Sequence, residues 1–375
     1  MTAGSLRPPK KMAAALLLCA GLTGTGILAA QTQSAGTPAA PASAADMPVN
    51  VAAAPRHVKV LIINLFGLEA APWIAALQPT DPIRVPGLSA AYPLVRCTPE
   101  SVCQMTTDMG HANAAASVMA VLFSGLFDLH ETYFLVAGIA GIDPAHGTIG
   151  SAAWARYVVD GGIAHEIDAR EMPRGWRDGY FGVLTHSPVE IPKLEYHSEV
   201  FRLDERLLQK ALEVSERTSL RDTPALAAYR AHYPDAAARG PPRVTQCDTL
   251  SADTWWAGRR LGERAARWTR LVTEDQGVYC TSQEEDNAVL AALTRGALAG
   301  LIDLPRIAVL RAGSDFDRPY PGQSVLASLT TQLALPDAFP VAAANLVTAG
   351  LPLVRAIVSD WPEWRNGVPP ATTRR

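Results

Sequence analysis

Arg306 to Pro319 reads RIAVLRAGSDFDRP, and this stretch decides the fold. The apolar run Ile307 to Leu310 predicts a short buried strand. It empties into Ala312-Gly313, where small residues let other groups approach the backbone. Ser314, Asp315, Asp317 and Arg318 follow within five positions. In open α/β sheets, ligand chemistry gathers just past the carboxyl ends of strands, and the segment has that form. A solvated turn after a core strand gives the same local pattern, so the rest of the chain has to separate the two.

Working outward, apolar runs alternate with helical spacing. Val58 to Asn64 (VKVLIIN) predicts a first buried strand, followed by Glu69 and a helix near Pro72-Trp73. Glu69, just past that strand, is a candidate acid or base; a helix N-terminal charge explains it equally well. Ser101 to Thr107 predicts a strand, and Asn113 to Phe123 a helix. Thr107 and Gly110 between them suit a sugar hydroxyl or an anion, or an ordinary cap. Glu131 to Ala137 predicts another strand, ending at Gly138-Ile139-Ala140-Gly141. Ile149 to Asp168 predicts two strands folded around Asp160-Gly161-Gly162. Such an antiparallel insertion in a βα pattern points to α/β with a mixed sheet.

Further along, Trp255 and Trp256 are adjacent on a loop, which can offer one ring to a planar ligand and one to the core. Gln283-Glu284-Glu285-Asp286-Asn287 opens a helix running to Leu301. Its carboxylates favour the helix dipole, or one of them grips vicinal hydroxyls of a ligand with Asn287 beside it. Helices near 322–333 and 340–359 complete the chain.

The chain has 375 residues, is 48% hydrophobic and 18% charged, and carries a net charge of −3. That suits a compact core and gives no electrostatic support for nucleic-acid binding. Arg7, Lys10 and Lys11 precede the apolar run Met12 to Ala30, which predicts a secretory signal over 1–30. Cleavage near Ala30 is the preferred reading and a retained anchor the alternative. Residues 31–55 read as an Ala/Pro/Ser-rich linker, and 56–375 as one domain. The protein is therefore expected to be exported, periplasmic or extracellular. No second apolar segment of about 18 or more residues is expected, hence no multi-span membrane domain. Of Cys97, Cys103, Cys247 and Cys280, the first two are the favoured local pair, leaving the other two as a second; four reduced thiols remain open. With no CxxC, HExxH or His/Cys cluster, no metal and no other cofactor is expected.

The ordered set TTDMGHANAAASVMA, VAGIAGIDP, DTLSADTWW, SQEEDNA and RAGSDFDRP resembles the purine nucleoside permease family, in turn similar to the nucleoside phosphorylase and nucleosidase superfamily. The resemblance runs over roughly residues 58 to 365. It implies an α/β/α sandwich around a mixed, partly barrel-like sheet, often in homo-oligomers, and a purine nucleoside ligand. By position it implies Asp315, beside Ser314, as the acid that protonates N7 of the base. Glu285 matches the carboxylate on the ribose diol, Trp255 the aromatic stacked on the base, and Gly138 and Gly141 the glycines against the nucleoside. Glu69 lies near the acid that activates water. Two phosphate-binding positions hold Val136 and Ile139 instead of arginine and serine, which argues against phosphorolysis unless Arg96 or Arg318 substitutes. Three functions follow as expectations: nucleoside uptake with an inner-membrane partner, hydrolytic cleavage, or sensing without catalysis.

Overall fold

A computed structural model describes residues 54–193 and 195–370. The signal segment at 1–30 and all but the end of the linker lie outside the described residues.

Two long neighbouring strands form the centre. Tyr133–Ile142 and Ile307–Phe316 run parallel, in register from Ile307 opposite Phe134 to Phe316 opposite Ile142. Val60–Asn64 pairs with the first half of Tyr133–Ile142, and Val102–Thr106 pairs with Val60–Asn64. Period-two alternation sends Leu61 and Ile63 to one face of this sheet and Val60 and Ile62 to the other. The first face is covered by the His111–Leu122 and Asp286–Leu298 helices, the second by Gly67–Leu77, Glu205–Ser215 and Ala338–Ser359. Buried on both sides, the strands open as apolar runs, Val60 to Ile63 and Ile307 to Leu310 among them.

The sheet then curls. Ile307–Phe316 pairs with Ala152–Trp154, whose chain continues into Tyr157–Asp160. That strand pairs with Asp248–Ser251, which pairs with Tyr279–Gln283, which returns to Gly141 and Ile142. The circuit closes on Tyr133–Ile142. The fold is thus α/β with a large mixed sheet that is open at one end and barrel-like at the other, as expected.

Several local expectations need correction. The strand from Ile307 does not stop at Leu310 but carries Arg311 to Phe316 as well, all buried. Likewise Gly138 to Ile142 continue their strand instead of turning. Polar and glycine residues persist in both because backbone and side-chain partners are supplied across the ladder. Asp160-Gly161-Gly162 does not close a hairpin between neighbouring strands. Asp160 accepts from the N–H groups of Gly162 and Ile163, and His165–Glu166 pairs with Tyr180–Phe181 instead. The helix expected from Gln283 begins at Asp286.

The expectation of no further long apolar segment is also overturned. Ala338–Ser359 is a 22-residue helix apolar enough to cross a membrane by length and composition. In this fold its buried residues, among them Leu346, Leu353 and Ile357, pack into the core with Trp73, Leu135 and Leu310. Disulfides join Cys97 to Cys103 and Cys247 to Cys280, the favoured pairing.

Candidate functional site

A cavity of roughly 280 Å³ opens where the flat and curled parts of the sheet part company. Its wall is made of short pieces of several elements: Phe66 and Glu69, Ile139 to Gly141, Thr254 to Trp256, Ser282 to Glu285, Arg311, Ser314 and Asp315, with Met109 and Phe339.

The 307–316 strand contributes most of the chemistry. Arg311 pairs with Gly138 and Asp315 with Gly141, four residues on one strand against three on the other. The extra residue is a β-bulge at Ser314, which lets the consecutive side chains Ser314 and Asp315 both reach the cavity. Ser314 Oγ donates to Asp315 Oδ1 at 3.1 Å. Burial pushes the Asp315 carboxyl up to about 7, the nearby Asp317 adds to that, and hydrogen bonding from Ser314 and Trp255 opposes it. Gly141 leaves the wall thin beside it: a Cβ there would sit 3.0 Å from Ser282 Oγ and 3.8 Å from Asp315 Oδ1.

Arg311 is almost wholly buried and spans three segments. Its guanidinium donates to both carboxylate oxygens of Asp286, to Glu285 Oε2 at 3.3 Å and to the Ile139 carbonyl at 2.9 Å. Glu285 Oε1 in turn accepts from the Gly110 N–H at 3.3 Å. Burial raises the Glu285 pKa, with Arg311 pulling it back and Asp286 pushing it further up.

Glu69 is both helix cap and cavity wall. One carboxylate oxygen accepts from the Leu65 and Phe66 N–H groups at 2.7 and 3.3 Å, and the other from the Ile139 N–H at 2.7 Å. Its side chain is nonetheless on the cavity, close enough to Arg311 and Glu285 to feel both charges. Burial pushes it up to about 8; Arg311 lowers it, Glu285 raises it, and the Ile139 and Leu65 hydrogen bonds lower it.

Residues 57–369 match the family model described as purine nucleoside permease. The chain belongs to the purine nucleoside permease family. It is similar to a probable purine nucleoside permease of Schizosaccharomyces pombe, 40% identical over 317 residues, 82% of this chain and 90% of that one. A purine nucleoside permease of Candida albicans is 37% identical over 308 residues, 81% of this chain and 75% of that one. Among solved structures, a 5′-methylthioadenosine/S-adenosylhomocysteine nucleosidase from Neisseria meningitidis is similar at a TM-score of 0.48 and 15% identity, over 80% of this chain and 99% of that one.

In this purine nucleoside permease family member, Asp315, Ser314, Glu285, Glu69, Trp255 and Gly141 all line the one cavity. Trp255 is 48% exposed at the rim, stacked on Phe339 with ring centroids 6.5 Å apart, while Trp256 is buried against Tyr279. Both tryptophans touch the cavity, so the division into one ligand ring and one core ring is partial.

Three expected contacts stand behind the wall. Thr107 donates to the Asp108 carbonyl at 2.8 Å, and its own carbonyl accepts from Ser117. Asn287 donates to the Ser198 carbonyl and accepts from Ser251 Oγ, tying two loops together. Gly138 makes room for Arg311 instead of a ligand: a Cβ there would fall 2.3 Å from Arg311 Nη1 and 2.7 Å from Leu65. Arg96 and Arg318, the two substitutes considered for phosphate, are not in the wall. Arg318 is held by Asp317 and by Asp143 at 3.1 Å.

Arg311, Met109, Phe66 and Phe339 are wall residues that sequence reading missed, while Glu284 enters it only as one of three neighbouring carboxylates. Arg311 did leave a signal. A cation between Leu310 and Ala312 in an apolar run, four residues before Asp315, has to find acids once it is buried.

Proposed function

We propose that the cavity binds a purine nucleoside and hydrolyses its N-glycosidic bond. The observation that carries this reading is that Asp315, Glu285 and Glu69 line one cavity with Arg311 among them. Cleavage breaks C1′–N9, and the electron pair leaves with the base. Asp315, held near neutrality, has a proton to give to N7 as that pair departs. Glu285 faces the sugar, where its negative charge both accepts from hydroxyls and offsets the developing cation. Water supplies the oxygen that bonds to C1′, and Glu69 takes its proton. Solvent then returns that proton to Asp315, leaving free base and ribose. Arg311 keeps Glu285 oriented, and Trp255 at the rim suits a planar base.

A second reading is supported by the family itself, whose relatives are named permeases. Here the same cavity binds the nucleoside without cleaving it and serves uptake, with an inner-membrane partner and a homo-oligomeric assembly as further parts of the proposal. Export through the 1–30 segment belongs with either reading, and the two disulfides fit an oxidising compartment.

The test is incubation of purified protein with inosine or adenosine, with and without phosphate, following the products. Free base and ribose without phosphate support hydrolysis. Base released only with phosphate replaces hydrolysis by phosphorolysis, and binding with no base released leaves the uptake reading.

A further inference from the structure

Glu284 is the one acid of the cavity wall for which the fold has no use. Among the described residues the wall carries four carboxyl groups, on Glu69, Glu284, Glu285 and Asp315, against the single guanidinium of Arg311. That guanidinium is already committed to Asp286 and Glu285. Glu69, Glu285 and Asp315 each accept a hydrogen bond from the protein. Glu284 makes none among the described residues. It sits half-buried beside Glu285 and Asp253, whose charges, after burial itself, push it up to about 7, with Arg311 opposing.

The backbone repeats the message. Helix N-termini are the usual cradles for phosphate, through free N–H groups and the positive end of the dipole. Three helices begin at this wall, and the leading N–H groups of each are taken; at Gly67–Leu77 those of Phe66 and Gly67 donate to Glu69 and to Tyr92 Oη. At His111–Leu122, the Gly110 N–H donates to Glu285 and the His111 N–H to Asp253. At Asp286–Leu298, the Glu285 and Asp286 N–H groups both donate to Gln283 Oε1. An incoming phosphate meets an unpaired carboxylate, charged once the pH exceeds about 7.

Resting on the purine-nucleoside reading above, we propose that Glu284 is a specificity determinant that keeps the cavity for uncharged nucleosides and bars their 5′-phosphates. It acts by repulsion, the negative half of specificity. Like charges within several ångströms at a half-buried site cost about tenfold to hundredfold in affinity. Selection of this kind suits a chain that meets nucleosides after a phosphate-removing reaction has acted on nucleotides.

Calorimetric titration at pH 8, where Glu284 is ionised, of the wild type, Glu284→Gln and Glu284→Ala with inosine and with inosine 5′-monophosphate tests the proposal. The wild type is expected to bind inosine at least about a hundredfold more tightly than the monophosphate. Both variants should narrow that ratio by about tenfold or more, mainly by binding the monophosphate better. Glu284→Gln is isosteric, and Glu284→Ala removes the group without adding a donor, so agreement between them excludes a local rearrangement. Inosine binding with the same ratio in all three proteins overturns this inference alone. Failure of the wild type to bind any purine nucleoside overturns the nucleoside reading and this inference with it.

Discussion

Arg311 Nη2 lies 3.3 Å from Glu285 Oε2, joining the 307–316 strand to the turn that precedes the Asp286–Leu298 helix. Because both side chains are almost fully buried, neither can be removed without stranding the other. Arg311→Met is therefore expected to cost about 3–5 kcal/mol, more at high pH than at low, because Glu285, whose pKa burial already raises, loses the cation that holds it down. Arg311→Lys should recover part of this, since an ammonium cannot match the forked pairing with Asp286. Thermal melts at pH 5 and pH 8 check both; equal destabilisation at the two pH values would count against the charge argument.

Asp315→Asn removes the transferable proton while keeping the shape. Nucleoside cleavage is expected to fall by about 10²–10⁴-fold with affinity little changed. The stability effect has the opposite sign. The folded carboxyl titrates at about 7 and the unfolded one near 3.8, so the folded state holds the proton more tightly and stability falls as pH rises between those values. At pH 8 the variant should accordingly be more stable than the wild type, with a ceiling of roughly 4 kcal/mol. Denaturant titrations at pH 5 and pH 8 measure the difference.

Glu285→Gln should weaken ribosides more than free bases. Two charge-assisted hydrogen bonds to the diol contribute about 1.5–3 kcal/mol each, so a tenfold or greater loss for inosine against little change for hypoxanthine is expected. Equal losses for the two ligands would remove Glu285 from the sugar.

The pH dependence of kcat/KM follows from the two shifted acids. Activity needs Glu69 ionised, which favours pH above about 8, and Asp315 protonated, which favours pH below about 7. The productive form is a minor one and peaks between those values, falling away on both sides. A flat profile from pH 5 to 7 would show that Glu69 ionises in the ordinary carboxylate range and is not the base.

Gly138→Ala tests the space reserved for Arg311. The added methyl would meet the guanidinium at 2.3 Å, so a loss of about 1–3 kcal/mol is expected. Ligand affinity should fall with it, because Glu285 loses its anchor. A neutral effect on melting temperature would mean the strand shifts to accommodate the methyl.

Much of this arrangement could be read from the residues, and the exceptions have physical causes. Buried strands such as Val60–Asn64 announced themselves because both faces are covered and four of the five residues are apolar. The end of Ile307–Phe316 was missed because Arg311, Ser314 and Asp315 look like a strand giving way to solvent; only distant acids and a bulge make their burial affordable. The DGG turn misled for a related reason. Asp160 satisfies the local N–H groups by itself, so no neighbouring strand is required. Asp315 and Glu285 were legible from the family resemblance, and their shared cavity is a product of topology. Thr107, Gly138 and Asn287 carry residue types that suit ligands, yet each is consumed by the scaffold.

Among the described residues no wall residue comes from the span between Gly141 and Thr254, although the chain closes its barrel-like circuit there. The long excursion through His165–Glu166 and Tyr180–Phe181 is thus outer casing. Shortening it, or grafting another module into it, should leave the cavity wall as it is, which makes that excursion the natural place to attach a reporter or a tether.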